Sequence, residues 1–190
     1  SDAVKNNQSD HSVIEVRDYI QRIIGFQTVT IVERKENFGL ARSITEGVTF
    51  VCQKHGRVIV LEDDIVAAPF FLKYMNDALD YYADVERVIS ISGYIYPVKD
   101  MLPETFFLRG ADCWGWATWA RGWDVFDPDA QRLLNMVNER KVTKSFNYDG
   151  AYDFKKMLAS QIRGEVDSWA VRWYASAFLN HKLTLYPRTS

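Results

Sequence analysis

Residues 56–71, GRVIVLEDDIVAAPFF, carry a strong chemical signal: apolar strand-formers climb to three consecutive acids, Glu62, Asp63 and Asp64. In open α/β sheets, ligands bind beyond the carboxyl ends of the strands. Adjacent strand residues alternate faces, so the first and third acids are expected on one side and the second on the other. Three like charges at one strand end disfavour the folded state unless something positive compensates. A divalent cation does this. Mg²⁺ and Mn²⁺ often take only one or two protein carboxylates and complete their shell with phosphate and water oxygens. The triplet therefore points to a metal shared with a diphosphate. The plainer reading is a solvated acidic turn whose charges favour the start of the next helix.

Other residues could join such a site. Arg42, in NFGLARS, falls in the first turns of a helix after a turn containing Asn37 and Gly39. A cation there could face phosphate beside the helix-start amides, or it could be an ordinary surface arginine. No Walker A loop and no GxGxxG is present, so any nucleotide must be held by metal and side chains. In DCWGWATWARGWDVF, Trp116, Trp119 and Trp123 are spaced i, i+3, i+7, which reads as one helix face. Trp119 and Trp123 read best as core. Trp114 and Trp116 flank Gly115, where backbone could approach a ligand, and aromatic faces suit sugar rings. Asp167 precedes a helix carrying Trp169 and Trp173, and Trp169 joins Trp114, Gly115 and Trp116 as a candidate acceptor- or sugar-binding residue. Asp167 is either that helix's N-cap or a carboxylate desolvated among tryptophans and suited to act as a general base, and one carboxylate could do both. His11, His55 and His181 are isolated and form no ligand pattern.

The elements that would position these residues follow from periodicity. A polar loop, Ser1–Ser12, precedes a helical pattern from Val13 that stops at Gly25. A β-branched, alternating stretch predicts a strand over 27–33. A helix ending near His55 follows, then RVIVL as a strand buried on both faces. A helix from about Pro69 to Tyr82 leads to the strand RVISISGY. Beyond it lie a short strand in FFLRG, the tryptophan-rich turn and helix, three further helices, and a last strand in LTLYP. Strand–helix alternation predicts a mainly parallel sheet flanked by helices, with no repeat or linker to divide residues 1–190.

Composition excludes several classes. The 190 residues carry net charge −2, which argues against broad electrostatic binding of nucleic acid. Cys52 and Cys113 form no CxxC and read as reduced thiols of a cytoplasmic protein. No run is long enough to span a bilayer, although association with the inner membrane face is compatible with the pattern. Asn7-Gln8-Ser9 fits a glycosylation sequon but has no secretion signal beside it.

The segments NFGLARSITEGV, VIVLEDDIVAAPFFLKYM, CWGWATWARGW and VDSWAVRWYASAFL resemble GT-A-fold glycosyltransferases of the nucleotide-sugar-dependent, metal-dependent kind. The likeness is to bacterial family 2-type sugar transferases and, more distantly, to the N-acetylglucosaminyltransferase I family. The resemblance implies a Rossmann-like GT-A sheet and an inverting transfer from a nucleoside diphosphate sugar to a carbohydrate or glycolipid acceptor, in bacterial polysaccharide or glycoconjugate synthesis. It implies Asp64 as ligand to Mn²⁺ or Mg²⁺, and Glu62 and Asp63 facing the donor's ribose or sugar. Asp167 becomes the base, and Asp2 matches an acid near the donor's nucleobase. The family carries a strand–helix–strand unit before the position of Ser1, so the resemblance also implies a fragment of a larger domain, with an exposed sheet edge open to oligomerisation. The alternative is a carbohydrate- or partner-binding domain on the same fold without catalysis; a phosphate-cleaving metalloenzyme would need more metal ligands.

Overall fold

The computed structural model describes residues 3–4 and 10–190. Its contacts divide the chain into two compact units, Ser1–Glu46 and Gly47–Ser190. The first holds α1 (Asp10–Ile20), an irregular stretch, and the start of α2 (Gly39–His55). Residues 27–33 do not form the strand that their alternation predicts. A strand exists only through ladder hydrogen bonds to a neighbour, and among the described residues none pairs with this stretch. Side chains join its end to α1 and the turn after it: Arg17 Nη1 of α1 lies 3.7 Å from the Glu33 carboxylate, and Gln21 Nε2 donates to that same group (3.1 Å).

The second unit contains β1 (Arg57–Val60), α3 (Phe71–Tyr81), β2 (Val88–Ser92), β3 (Thr105–Arg109), β4 (Trp116–Trp119) and α4 (Ala120–Trp123). These are followed by α5 (Ala130–Glu139), α6 (Thr143–Phe146), α7 (Phe154–Ile162), α8 (Trp169–Leu179) and β5 (Leu183–Pro187). The strands form one open sheet in the order β1-β4-β2-β5-β3. The architecture is α/β, as expected, but the sheet is mixed. Only β2 and β5 pair in parallel; β1–β4, β4–β2 and β5–β3 are antiparallel.

The reversal traces to β4. Trp116, Trp119 and Trp123 do not share one helix face, because Trp116–Trp119 is a strand with period two. Trp116 turns toward α8, stacking on Trp169. Ala117 and Trp119 turn the other way, into the core that α3 covers with Met75, Ala78 and Leu79. Trp119 Nε1 also donates to the Leu79 carbonyl (3.1 Å). With β4 inserted, β1 becomes an edge strand, with Arg57 exposed and only Val60 fully buried, rather than a strand covered on both faces.

On the opposite face lies α8, apolar almost all round and buried from Trp173 to Leu179. A helix with no polar side must be covered on every side. The sheet covers one side, and α5, α6 and α7 cover another with Leu133, Val137, Phe146 and Leu158. Asp129 and Asp153 cap α5 and α7 by accepting from the backbone N–H of Arg132 and Lys156.

Gly110, after β3, sits at φ +115°, and a Cβ there would enter the Tyr174 ring. That ring is buried, its hydroxyl donating to the Phe146 carbonyl (2.7 Å). Gly110→Ala combines backbone strain with overpacking, for an expected loss of about 3 kcal/mol. Urea unfolding monitored by far-UV circular dichroism measures it, and an unchanged midpoint would show that the turn yields freely.

Candidate functional site

Strand register gathers three loops at one end of the sheet. Trp116, the first residue of β4, pairs with Val60 of β1 and with Ser92 of β2. The residues after Val60, after Ser92 and before Trp116 therefore share that end: Leu61–Asp64, Gly93–Tyr96 and Asp112–Gly115. Gly93 N–H donates to the Gly115 carbonyl (2.7 Å), extending the β2–β4 ladder by one step. The Phe71 ring, at the start of α3, lies against both glycines; a Cβ on Gly93 would come within 2.5 Å of it. Gly115, at φ +64°, therefore makes its close backbone approach to Phe71 and Leu61, not to a ligand-accessible space.

The acidic triplet is a turn rather than a strand end. Ile65 N–H donates to the Glu62 carbonyl (3.2 Å), closing the chain around Asp63 and Asp64. The expected alternation of faces therefore fails for the last two acids, which are both exposed. Glu62 is half-buried. Burial first, and then the charges of Asp64 and Asp63, push its carboxyl above the usual range. Among the described residues, no group of three or more His, Cys, Asp and Glu is arranged to hold a metal ion. The residues present still fit a Mg²⁺- or Mn²⁺-type ion, which needs only one or two carboxylates when a diphosphate supplies the remainder. The mutual repulsion of the turn is what such an ion would relieve.

The tryptophans divide differently from expectation. Trp116 and Trp169 are fully buried, with ring centroids 5.4 Å apart. Trp173 stands 5.7 Å from Trp116 and 5.1 Å from Trp123. Neither Trp116 nor Trp169 offers a face to a sugar; both are core. Trp114 remains 43% exposed.

Asp167 is not the N-cap of α8. Ser168 is, its hydroxyl accepting from Val171 N–H (3.2 Å). Nor is Asp167 desolvated among tryptophans: its side chain is 65% exposed, and Oδ1 accepts from Arg172 Nη2 (3.1 Å). Its position is informative all the same. Trp169 stacks on Trp116, the residue opposite Val60, so the first turn of α8 is anchored at the sheet end where Glu62 emerges.

Asn37 and Arg42 belong to the first unit. Asn37 Nδ2 donates to the Ala3 carbonyl (2.6 Å), and its Oδ1 accepts from Gly39 N–H (3.2 Å). Arg42 Nε donates to Glu46 (2.6 Å), and its guanidinium lies 3.7 Å over the Phe38 ring. Hydrogen bonds from Arg42 and Arg34 hold the Glu46 carboxyl below its usual range. Both side chains are engaged within their own unit, as the surface reading of Arg42 would have it. Asp2 lies outside the described residues.

Sequence reasoning missed Asp112, Tyr94 and Tyr96. Asp112 Oδ1 accepts from Cys113 N–H (2.7 Å), and the Tyr186 hydroxyl stands 3.5 Å from Oδ2. Burial pushes this carboxyl up, against the opposing pull of the Cys113 and Trp114 amides. Burial, reinforced by Asp112 and Glu62, pushes the neighbouring Cys113 thiol up to about 12. Tyr94 and Tyr96 both contact the Trp114 ring. The usable signal is positional: GYIY overlaps the end of the stretch RVISISGY that reads as a strand, and open α/β sheets bind ligands at strand ends.

Because Glu62 binds its proton more tightly folded than unfolded, the folded state is favoured below the ordinary glutamate range. That advantage is lost as pH rises through the interval up to the folded-state value. Glu62→Gln removes this contribution, so the variant should gain on the parent as pH rises above the ordinary glutamate range. Denaturant midpoints across that rise test it; parallel curves would place the charge conflict elsewhere.

No family model, no curated protein and no solved structure matches the chain.

Proposed function

We propose that the chain is the catalytic part of a metal-dependent, inverting glycosyltransferase that moves a sugar from a nucleoside diphosphate to an acceptor hydroxyl. The observation that carries this reading is convergence. An acidic turn whose half-buried Glu62 is disfavoured as a carboxylate, first by burial, and an accessible aspartate at a helix start lie at the same sheet end, joined through the Trp116–Trp169 stack. Carboxylates placed at a strand's carboxyl end are where an open α/β sheet receives ligands.

In this reading Asp64, beside Glu62 and Asp63, would hold Mn²⁺ or Mg²⁺. The ion supplies charge neutralisation to the departing group. Asp167 takes the proton from the acceptor hydroxyl. Arg172 binds Oδ1 and fixes the side chain, leaving Oδ2 for that proton. The acceptor oxygen then bonds to the anomeric carbon as the carbon–oxygen bond to the diphosphate breaks, and the electron pair leaves on the diphosphate. General-base assistance of this kind contributes about 10²–10⁴-fold.

A second reading, carbohydrate binding without catalysis, is favoured by one observation: Asp167 is already paired with Arg172.

Release of nucleoside diphosphate from a panel of sugar nucleotides with Mn²⁺ and glycoside acceptors separates the two readings. Turnover supports the transferase, and none with any pair supports the binding domain. Asp167→Asn should lower turnover about 10²–10⁴-fold with donor affinity retained; unchanged turnover would remove it from the chemistry. Asp64→Ala should abolish the metal-dependent part of donor binding in calorimetry, and an identical titration would take it out of the metal site.

A further inference from the structure

Three aromatic rings form a patch at this sheet end that core packing does not account for. Tyr94 and Tyr96 arrive from the segment after β2, and Trp114 from the segment before β4. Tyr94 meets Trp114 edge-on at 4.8 Å, Tyr96 lies tilted against Trp114 at 5.7 Å, and Tyr94 and Tyr96 are 5.3 Å apart. The contacts hold the rings in fixed relation, yet Trp114 is 43% and Tyr96 59% exposed. A contiguous apolar patch that stays exposed while its members are ordered marks a place of contact with something else.

The polar groups around the patch narrow the occupant. The Tyr96 phenol lies within the electrostatic reach of Asp112, Tyr94, Cys113 and Tyr152. Asp112 offers a partly exposed carboxylate, held by the Cys113 and Trp114 amides, the Cys113 thiol and the Tyr186 phenol. A lipid tail would cover the Tyr96 hydroxyl and this carboxylate with hydrocarbon and offer neither a hydrogen bond. A pyranose would not, because its apolar C–H face lies on an aromatic ring while its equatorial hydroxyls donate to carboxylate and phenol oxygens at the rim.

We infer that Trp114, Tyr96 and Tyr94, with Asp112 at their rim, form the platform that receives the acceptor, and that this acceptor is a pyranoside. The word acceptor rests on the transferase reading; the pyranoside platform rests on the rings and the carboxylate alone.

The test is binding without donor or metal. The indole Nε1–H resonance of Trp114, assigned by its loss in Trp114→Phe, is followed while methyl pyranosides, sorbitol or uridine are titrated into the ¹⁵N-labelled protein. The expected result is a saturable shift with at least one methyl pyranoside and none with sorbitol or uridine. Trp114→Ala and Tyr96→Ala should each weaken pyranoside binding about tenfold, read from other shifted resonances, while Trp114→Phe retains most of it. Both residues lie at the surface outside the buried core, so the melting temperatures of these variants should stay near the parent's. The platform is overturned by no shift, by equal shifts with sorbitol or uridine, or by unchanged affinity in Trp114→Ala and Tyr96→Ala. Pyranoside binding without transfer would remove the enzyme and keep the platform; transfer with an unchanged acceptor KM in Trp114→Ala would do the reverse.

Discussion

The stacking of Trp116 on Trp169 is the contact on which the arrangement depends. It joins the first residue of an inserted antiparallel strand to the first residue of the central helix, and with Trp173, Trp123 and Phe126 it makes a continuous aromatic core. The cluster forms despite an electrostatic cost. The indole N–H groups of Trp116 and Trp173 are buried with no hydrogen-bond partner among the described residues, at about 1–3 kcal/mol each. Burying about 200 Å² per indole offsets this with about 5 kcal/mol each, before any gain from ring geometry. Apolar burial therefore wins at this contact, and ring packing seats the first half of α8 on the sheet, while Arg109 of β3 donates to the Phe178 carbonyl (3.0 Å) at its far end.

This explains a division of labour among residues of one type. The four tryptophans of residues 114–123 look alike in sequence, but alternation along β4 sends Trp116 toward α8 and Trp119 toward α3. Trp123 follows from a short helix and closes the α8-side cluster, its Nε1 donating to Thr49 (2.8 Å). Trp114, before the strand begins, is left at the rim with Tyr94 and Tyr96. The same composition thus yields both the core and the exposed surface beside it.

Helices were the legible part of the fold, because apolar residues repeat at helical spacing in α2, α3, α5, α7 and α8 and because proline, glycine and capping acids punctuate them. Strand existence was legible for β1, β2, β3 and β5, but strand direction was not. Direction depends on β4, whose WATW carries too few residues to separate a period of two from a helical period, and on a pairing partner far away in sequence. Residues 27–33 show the converse: a strand-like local pattern is not sufficient, and the stretch is irregular in the structure. At the site, the acids and Asp167 were legible as types at a plausible place. Their environments were not, since exposure of Asp167 and burial of Asp112 are decided by Arg172 and by the 110–115 crossing, and neither is visible in local spacing.

The packing of Phe71 on Gly93 and Gly115 has a consequence for how this chain can vary. The ring occupies the volume that a side chain at position 93 would need, so those two positions cannot be enlarged independently. An alanine at 93 calls for a smaller neighbour at 71, and even then the carbonyl of Gly115 stands 3.0 Å from the new methyl. Position 115 is further restricted by its left-handed backbone, which asparagine or aspartate tolerates best among side-chain-bearing residues. Homologous chains that keep this floor should therefore exchange residues at 71 and 93 as a compensating pair, while 115 stays within a narrow set.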